Sequence, residues 1–99
     1  MHTAMMQYRF VPERLEEACS IWRREVLDVA RGHEGFVRMQ LYSQSNGEAL
    51  AIGTWESHDH AEAFMRTGVF KTLLARLEGM TVDQPIPSRW VLRSFAEAR

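Results

Sequence analysis

FVRMQLYSQSNGEALAIGTWESHDHAEAFMRTGVF, Phe36 to Phe70, is the stretch on which the reading of this chain turns. It spells a strand, a turn, a second strand, and a helix that begins just after Trp55. Asn46 and Gly47 both tolerate the positive φ that a two-residue type I′ turn demands, so the spacing predicts a hairpin of strands 36–45 and 48–56. Such a turn opposes Ser43 to Leu50, Leu41 to Ile52, Met39 to Thr54 and Arg38 to Trp55. One face then carries Met39, Leu41, Leu50, Ile52 and Thr54, an ordinary core face. The other carries Phe36, Arg38, Gln40, Tyr42 and Trp55 beside the small residues Ala49, Ala51 and Gly53. Aromatic surface, polar tips and missing volume coincide there, and that face is the expected site.

Upstream, residues 3–11 alternate: Met6, Tyr8 and Phe10 interleave with Met5, Gln7 and Arg9, the period of a strand. Pro12 ends that strand and suits a helix's first turn. A helix over 12–31 follows, with Glu13, Glu16 and Glu17 near the positive end of its dipole. Its apolar stripe is Leu15, Ala18, Cys19, Trp22, Val26 and Val29, and Gly32 stops it. Downstream of the hairpin, Ser57 is placed as an N-cap with Asp59 in the first turn. The helical segment 58–78 is interrupted by Gly68 and closed by Gly79. Residues 80–87 contain two prolines and read as an irregular or edge segment, and residues 88–95 form a last strand.

The order strand, helix, strand, strand, helices, strand is that of a ferredoxin-like α+β domain, a four-stranded antiparallel sheet with helices on one face. A sheet apolar on both faces cannot leave one of them in water, so two copies are expected to pack sheet to sheet as a homodimer. At 99 residues the whole chain, 1–99, is one domain. Twelve basic and 13 acidic residues give a net charge of −1, which provides no electrostatic footprint for nucleic acid. No run approaches the roughly 20 apolar residues of a membrane span. The N-terminus lacks a basic region followed by an apolar run, and the single Cys19 forms no intramolecular disulfide, so a cytoplasmic protein is expected.

The run Gly32-His33-Glu34-Gly35-Phe36, the hairpin, Trp55-Glu56-Ser57 and Phe70-Lys71 together resemble the antibiotic biosynthesis monooxygenase family. The resemblance runs from the first strand to about Leu77 and implies a dimeric α+β barrel. It further implies one of several activities: cofactor-independent oxidation of aromatic polyketides and quinols, or haem degradation. Trp55 matches the tryptophan implicated in the quinone-forming members, while the asparagine they place four residues earlier is Ala51 here. The haem-degrading branch carries a tryptophan and a histidine where this chain has Phe64 and Leu74, so haem degradation by that route is not expected.

The candidate residues each carry a functional and a plainer reading. Trp55 stacks on a planar substrate, or anchors a strand end. Arg38, Gln40 and Tyr42 bind phenolate or carbonyl oxygens, or form a surface pair with the indole. His58 and His60 are bases near neutral pH, but positions two apart on a helix point to different sides. Phe64 excludes water from the site. His33, His58, Asp59 and His60 have no recognised ligand spacing, so no metal is expected; Cys19 reads as a small hydrophobe within its stripe. The expectation is a cofactor-independent monooxygenase acting on a small aromatic molecule, with Trp55, Arg38 and His58 catalytic and Gln40, Tyr42, His60 and Phe64 binding. The alternative is a non-catalytic dimeric module that binds a small ligand.

Overall fold

In the computed structural model, which describes residues 1–98, β1 (His2–Arg9) leads through a 3-10 turn (Pro12–Arg14) into α1 (Leu15–Trp22). A π-helical turn (Arg23–Leu27) joins α1 to the short α2 (Asp28–Ala30). Then come β2 (Phe36–Ser43), β3 (Glu48–Trp55), α3 (His58–Met65), α4 (Val69–Arg76) and β4 (Ile86–Val91). All pairings are antiparallel in the order β2-β3-β1-β4, the ferredoxin-like arrangement. The helices cover one sheet face. Trp22, Phe10, Phe64, Leu73 and Trp55 lie buried between the two layers.

The first helix departs from its sequence pattern in phase. Its buried positions are Ala18, Ile21, Trp22, Val26 and Ala30, whereas Val29, expected in the stripe, is exposed. The wider π turn has more residues per turn than an α-helix, so the inward face recurs every four positions across it and reaches Ala30 instead of Val29. Cys19 is consequently only half-buried.

The hairpin departs more consequentially. Among the described residues only glycines have positive φ, so Asn46 does not adopt the type I′ conformation and the two-residue turn is not the one formed. The loop has three residues: Gln44 N–H donates to Glu48 O (2.8 Å), Gly47 N–H to Gln44 O (3.0 Å), and Asn46 Oδ1 accepts from Glu48 N–H (3.0 Å). Gly47 sits at φ 99° and its carbonyl accepts from Phe10 N–H. A Cβ on Gly47 would fall against the Phe10 carbonyl oxygen, so both conformation and space require glycine. Gly47→Ala should therefore cost about 2–3 kcal/mol of stability, read by urea denaturation at unchanged m.

One extra loop residue slips β2 by one position, which exchanges its faces. Leu41 now opposes Ala51 and Met39 opposes Gly53, on the helix side. Arg38 opposes Thr54, Gln40 opposes Ile52 and Tyr42 opposes Leu50, on the open side. A bulge at Val37 restores the alternation, so that Phe36 pairs with Trp55 and shares its face. This register keeps the Arg38 guanidinium and the Gln40 amide out of the core, and burying an unpaired charge there would cost several kcal/mol.

The last strand runs from Ile86 to Val91, two to four residues earlier at each end than the alternation in 88–95 suggests. It is an edge strand, which is why it accommodates Pro87 opposite Met6. The chain beyond it returns over the open face, where the Arg38 guanidinium lies 4.9 Å from the centre of the Phe95 ring.

Candidate functional site

Four short-side-chain or flexible positions make room between the sheet and the helices. On the helix face of the sheet, Ala4, Met6, Ala51 and Gly53 keep the strand surface low beside Trp55 and Met39. Trp22 and Val26 form the wall at the first helix, Phe64 and Met65 of α3 another, and Phe70 of α4 the end. The result is an apolar cavity of about 250 Å³.

Aromatic rings line its inner side in contact with one another. Trp55 is 2% exposed and meets Phe64 at 5.0 Å between ring centres and Phe36 edge-on at 5.7 Å. Phe64 in turn meets Phe70 edge-on at 6.0 Å and His33 at 5.2 Å. Such edge-to-face and tilted pairs fix ring planes, and a fixed indole plane is what a flat ligand stacks on. The Trp22 indole N–H and the Tyr8 hydroxyl are both buried, and the hydroxyl's pKa is raised by that burial, with the Trp22 N–H working in the opposite direction.

Polarity is concentrated at the mouth. His2, Glu62 and Arg89 line it, one each from β1, α3 and β4. Arg89 Nη1 contacts Glu62 Oε1 directly and lies 3.1 Å from His58 Nε2. His58 Nε2 is also 3.5 Å from Glu62, and the His58 ring meets the His2 ring edge-on at 5.0 Å. Burial, and then the neighbouring His58 and Arg89 and the amino terminus, hold the His2 pKa below the usual imidazole value; Glu62 works in the opposite direction.

The expected site residues are thus divided. Trp55 and Phe64 line the cavity and His58 braces its mouth. Arg38, Gln40 and Tyr42 stand on the opposite sheet face, because of the slipped register, and do not meet Trp55. His60 serves the start of α3: Ser57 Oγ accepts from His60 N–H (3.2 Å) and lies 2.7 Å from His60 Nδ1. The His60 Nε2 is 4.0 Å from Glu34, and the ring packs where a Cβ on Gly35 would sit. Ser57, His60 and Glu34 have the composition of a hydrolytic triad but perform a helix cap. Ser57→Ala should cost about 1 kcal/mol in thermal or chemical unfolding.

His2, Glu62 and Arg89 were not among the expected residues. A signal for two of them is present in the sequence. The alternation of Phe10, Tyr8 and Met6 extends back to His2, and Glu62 follows His58 by four positions on one helix, a pairing distance. Among the described residues no three His, Cys, Asp or Glu side chains converge to hold a metal ion. No helix of the described chain is long and apolar enough to cross a membrane.

The model of the family described as antibiotic biosynthesis monooxygenase matches residues 1–76. The chain belongs to this family. No curated protein sequence matches it. Solved structures share its fold across nearly the full length. SnoaB from Streptomyces nogalater, a cofactor-independent oxygenase, superposes with a TM-score of 0.73 at 19% identity, covering 95% of this chain and 94% of that one. Rv0793 from Mycobacterium tuberculosis gives 0.78 at 11% identity, over 97% and 98% of the two chains. NE2512 from Nitrosomonas europaea, a protein of unknown function, gives 0.79 at 10% identity, over 99% and 95%. At such identities the likeness extends to the fold alone. Within the antibiotic biosynthesis monooxygenase fold, Trp55-Glu56-Ser57 has two separate duties here: Trp55 faces the cavity, and Ser57 caps the helix that closes it.

Proposed function

We propose that this family member is a cofactor-independent monooxygenase that oxidises a small phenolic or quinol-type aromatic with molecular oxygen. The observation that carries this reading is the apolar cavity of about 250 Å³ lined by Trp55, Phe64 and Phe70. Its volume lies just below the roughly 300–1,000 Å³ of drug-sized sites, which suits a ligand of about two fused rings. Trp55 stacks on the ring system, and Phe64 and Phe70 exclude water. A deprotonated phenol in a dry site is electron-rich enough to reduce oxygen itself. One oxygen atom becomes a new ring carbonyl, and the other leaves as water with the two hydrogens the ring gives up.

The proposal extends to the assembly and the compartment. The open sheet face presents Met5, Tyr42, Leu50, Ile52, Ile86 and Trp90 together, and the Gln40 Oε1 is buried there without a partner. A second copy laid sheet to sheet buries that surface and brings donors to the orphaned oxygen. A reducing cytoplasm suits a lone Cys19 whose thiol is held protonated by burial first and by Glu16 second.

Oxygen uptake with a panel of naphthols and hydroquinones tests the activity. Wild type should consume oxygen, and Ala51→Phe, which fills the cavity from the sheet side, should abolish both uptake and ligand binding. A non-catalytic binding module is the second reading, favoured by Ala51, which leaves that wall without a polar side chain. Binding of the panel without oxygen uptake decides for the module.

A further inference from the structure

Resting on the cavity reading, we propose that His2 is the proton acceptor of this site and that the ligand it serves carries an acidic aromatic hydroxyl directed at the mouth. Two imidazoles stand at the mouth, and only that of His2 makes no side-chain hydrogen bond among the described residues. His58 stands nearer the ion pair, but its Nε2 is taken by Arg89. An arginine can only donate, so Arg89 Nη1, 3.1 Å away, makes His58 Nε2 an acceptor. The His58 Nδ1 then carries the ring hydrogen and cannot accept another, and the Asp59 carboxylate at 3.8 Å is too far to bond it. Fixed in that tautomer, His58 is a positioning residue: its ring stands perpendicular to that of His2 at 5.0 Å between centres and orients it.

His2 differs on each count. It lines the cavity, which His58 does not, and it is the cross-strand neighbour of Trp55. An aromatic ring stacked on Trp55 thus presents its rim to the His2 imidazole. The charged and titratable groups facing His2 are His58 and Glu62 from α3, Arg89 from β4 and the amino terminus of its own strand. Burial first, and the Arg89 guanidinium beside it, favour the neutral ring, which can accept a proton. On binding, the hydroxyl proton passes to a His2 ring nitrogen and the electron pair stays on the ligand oxygen. The phenolate and imidazolium add to Glu62 and Arg89 without net charge, so the step leaves the mouth electrically balanced.

The test uses a para-nitronaphthol, whose phenolate is coloured, and nitronaphthalene, which has the same rings and no hydroxyl. Bound to the wild-type chain, the nitronaphthol should ionise with a midpoint about one pH unit below that of the free probe. His2→Ala and His2→Gln should each return the midpoint to the free value or above it and weaken nitronaphthol binding at neutral pH about tenfold. His2→Gln, which keeps a side chain of similar reach at the mouth, should lower nitronaphthalene affinity far less than nitronaphthol affinity. A lowered midpoint that survives in both variants overturns the assignment to His2 while leaving the cavity reading intact. Failure of nitronaphthalene to bind the wild type overturns the cavity reading, and this assignment with it.

Discussion

Phe64→Ala should lower the stability of this domain by about 3–5 kcal/mol, the usual cost of truncating a buried phenylalanine. The ring is 2% exposed and touches Trp55, His33 and Phe70, so the loss falls at the meeting point of three contacts. For a domain of this size each kcal/mol is worth roughly 4–8 °C, which puts the fall in Tm at about 12 °C or more. That is a large part of the ~5–15 kcal/mol a domain usually has. The variant also enlarges the cavity, because the removed ring is part of its wall. Calorimetry with and without a three-ring ligand should therefore show a destabilised protein that recovers more Tm from the larger ligand than wild type does. A Phe64→Ala variant with wild-type Tm would contradict the packing described here.

Ile52→Asp should turn the proposed dimer into a monomer. Ile52 stands mid-sheet on the open face, between Gln40 and Met5. In a single chain a carboxylate there stays in contact with water and costs little. In a sheet-to-sheet dimer it is buried without a partner, at a penalty of about 3–5 kcal/mol for each unpaired charge. With one such charge from each subunit the dissociation constant should rise at least about ten-thousandfold, visible in sedimentation velocity as a concentration-independent monomer. Circular dichroism of the variant should keep the wild-type helix and strand content. A wild-type chain that sediments as a monomer at every concentration would remove the dimer from the proposal.

The element order was legible because it depends on patterns that survive local irregularity. Pro12, Ser57 and Gly68 each mark a boundary through a backbone constraint, and the structure uses all three at the positions read. Trp55 and Phe64 line the cavity, and each was marked in the sequence, Trp55 by the small residues Ala51 and Gly53 beside it and Phe64 by the apolar stripe of its helix. What was not legible was parity. Asn46-Gly47 fits a two-residue turn by composition, yet the decisive contact is the close approach of Phe10, distant in sequence. That single residue moved Arg38, Gln40 and Tyr42 to the far face. The bulge at Val37 has no marker of its own, since neither glycine nor proline announces it. The mouth was missed because its groups come from three elements that only the folded sheet brings together.

Gly68 breaks what would otherwise be one rod into two plates. It takes a left-handed conformation, φ 83°, with open space around it, so it is there for its backbone geometry. α3 and α4 are left with eight residues each, about 12 Å of helix. Helices so short are not stable by themselves and persist only through what they pack against. Each contributes one ring to the cavity, Phe64 from the first plate and Phe70 from the second. An occupant therefore completes the packing that keeps both plates folded. Amide hydrogens of α3 and α4 should exchange slowly when the cavity is filled and faster when it is empty, whereas those of β1 and β3 stay protected in both conditions. Occupancy of this site is thereby recorded in the backbone of its own roof.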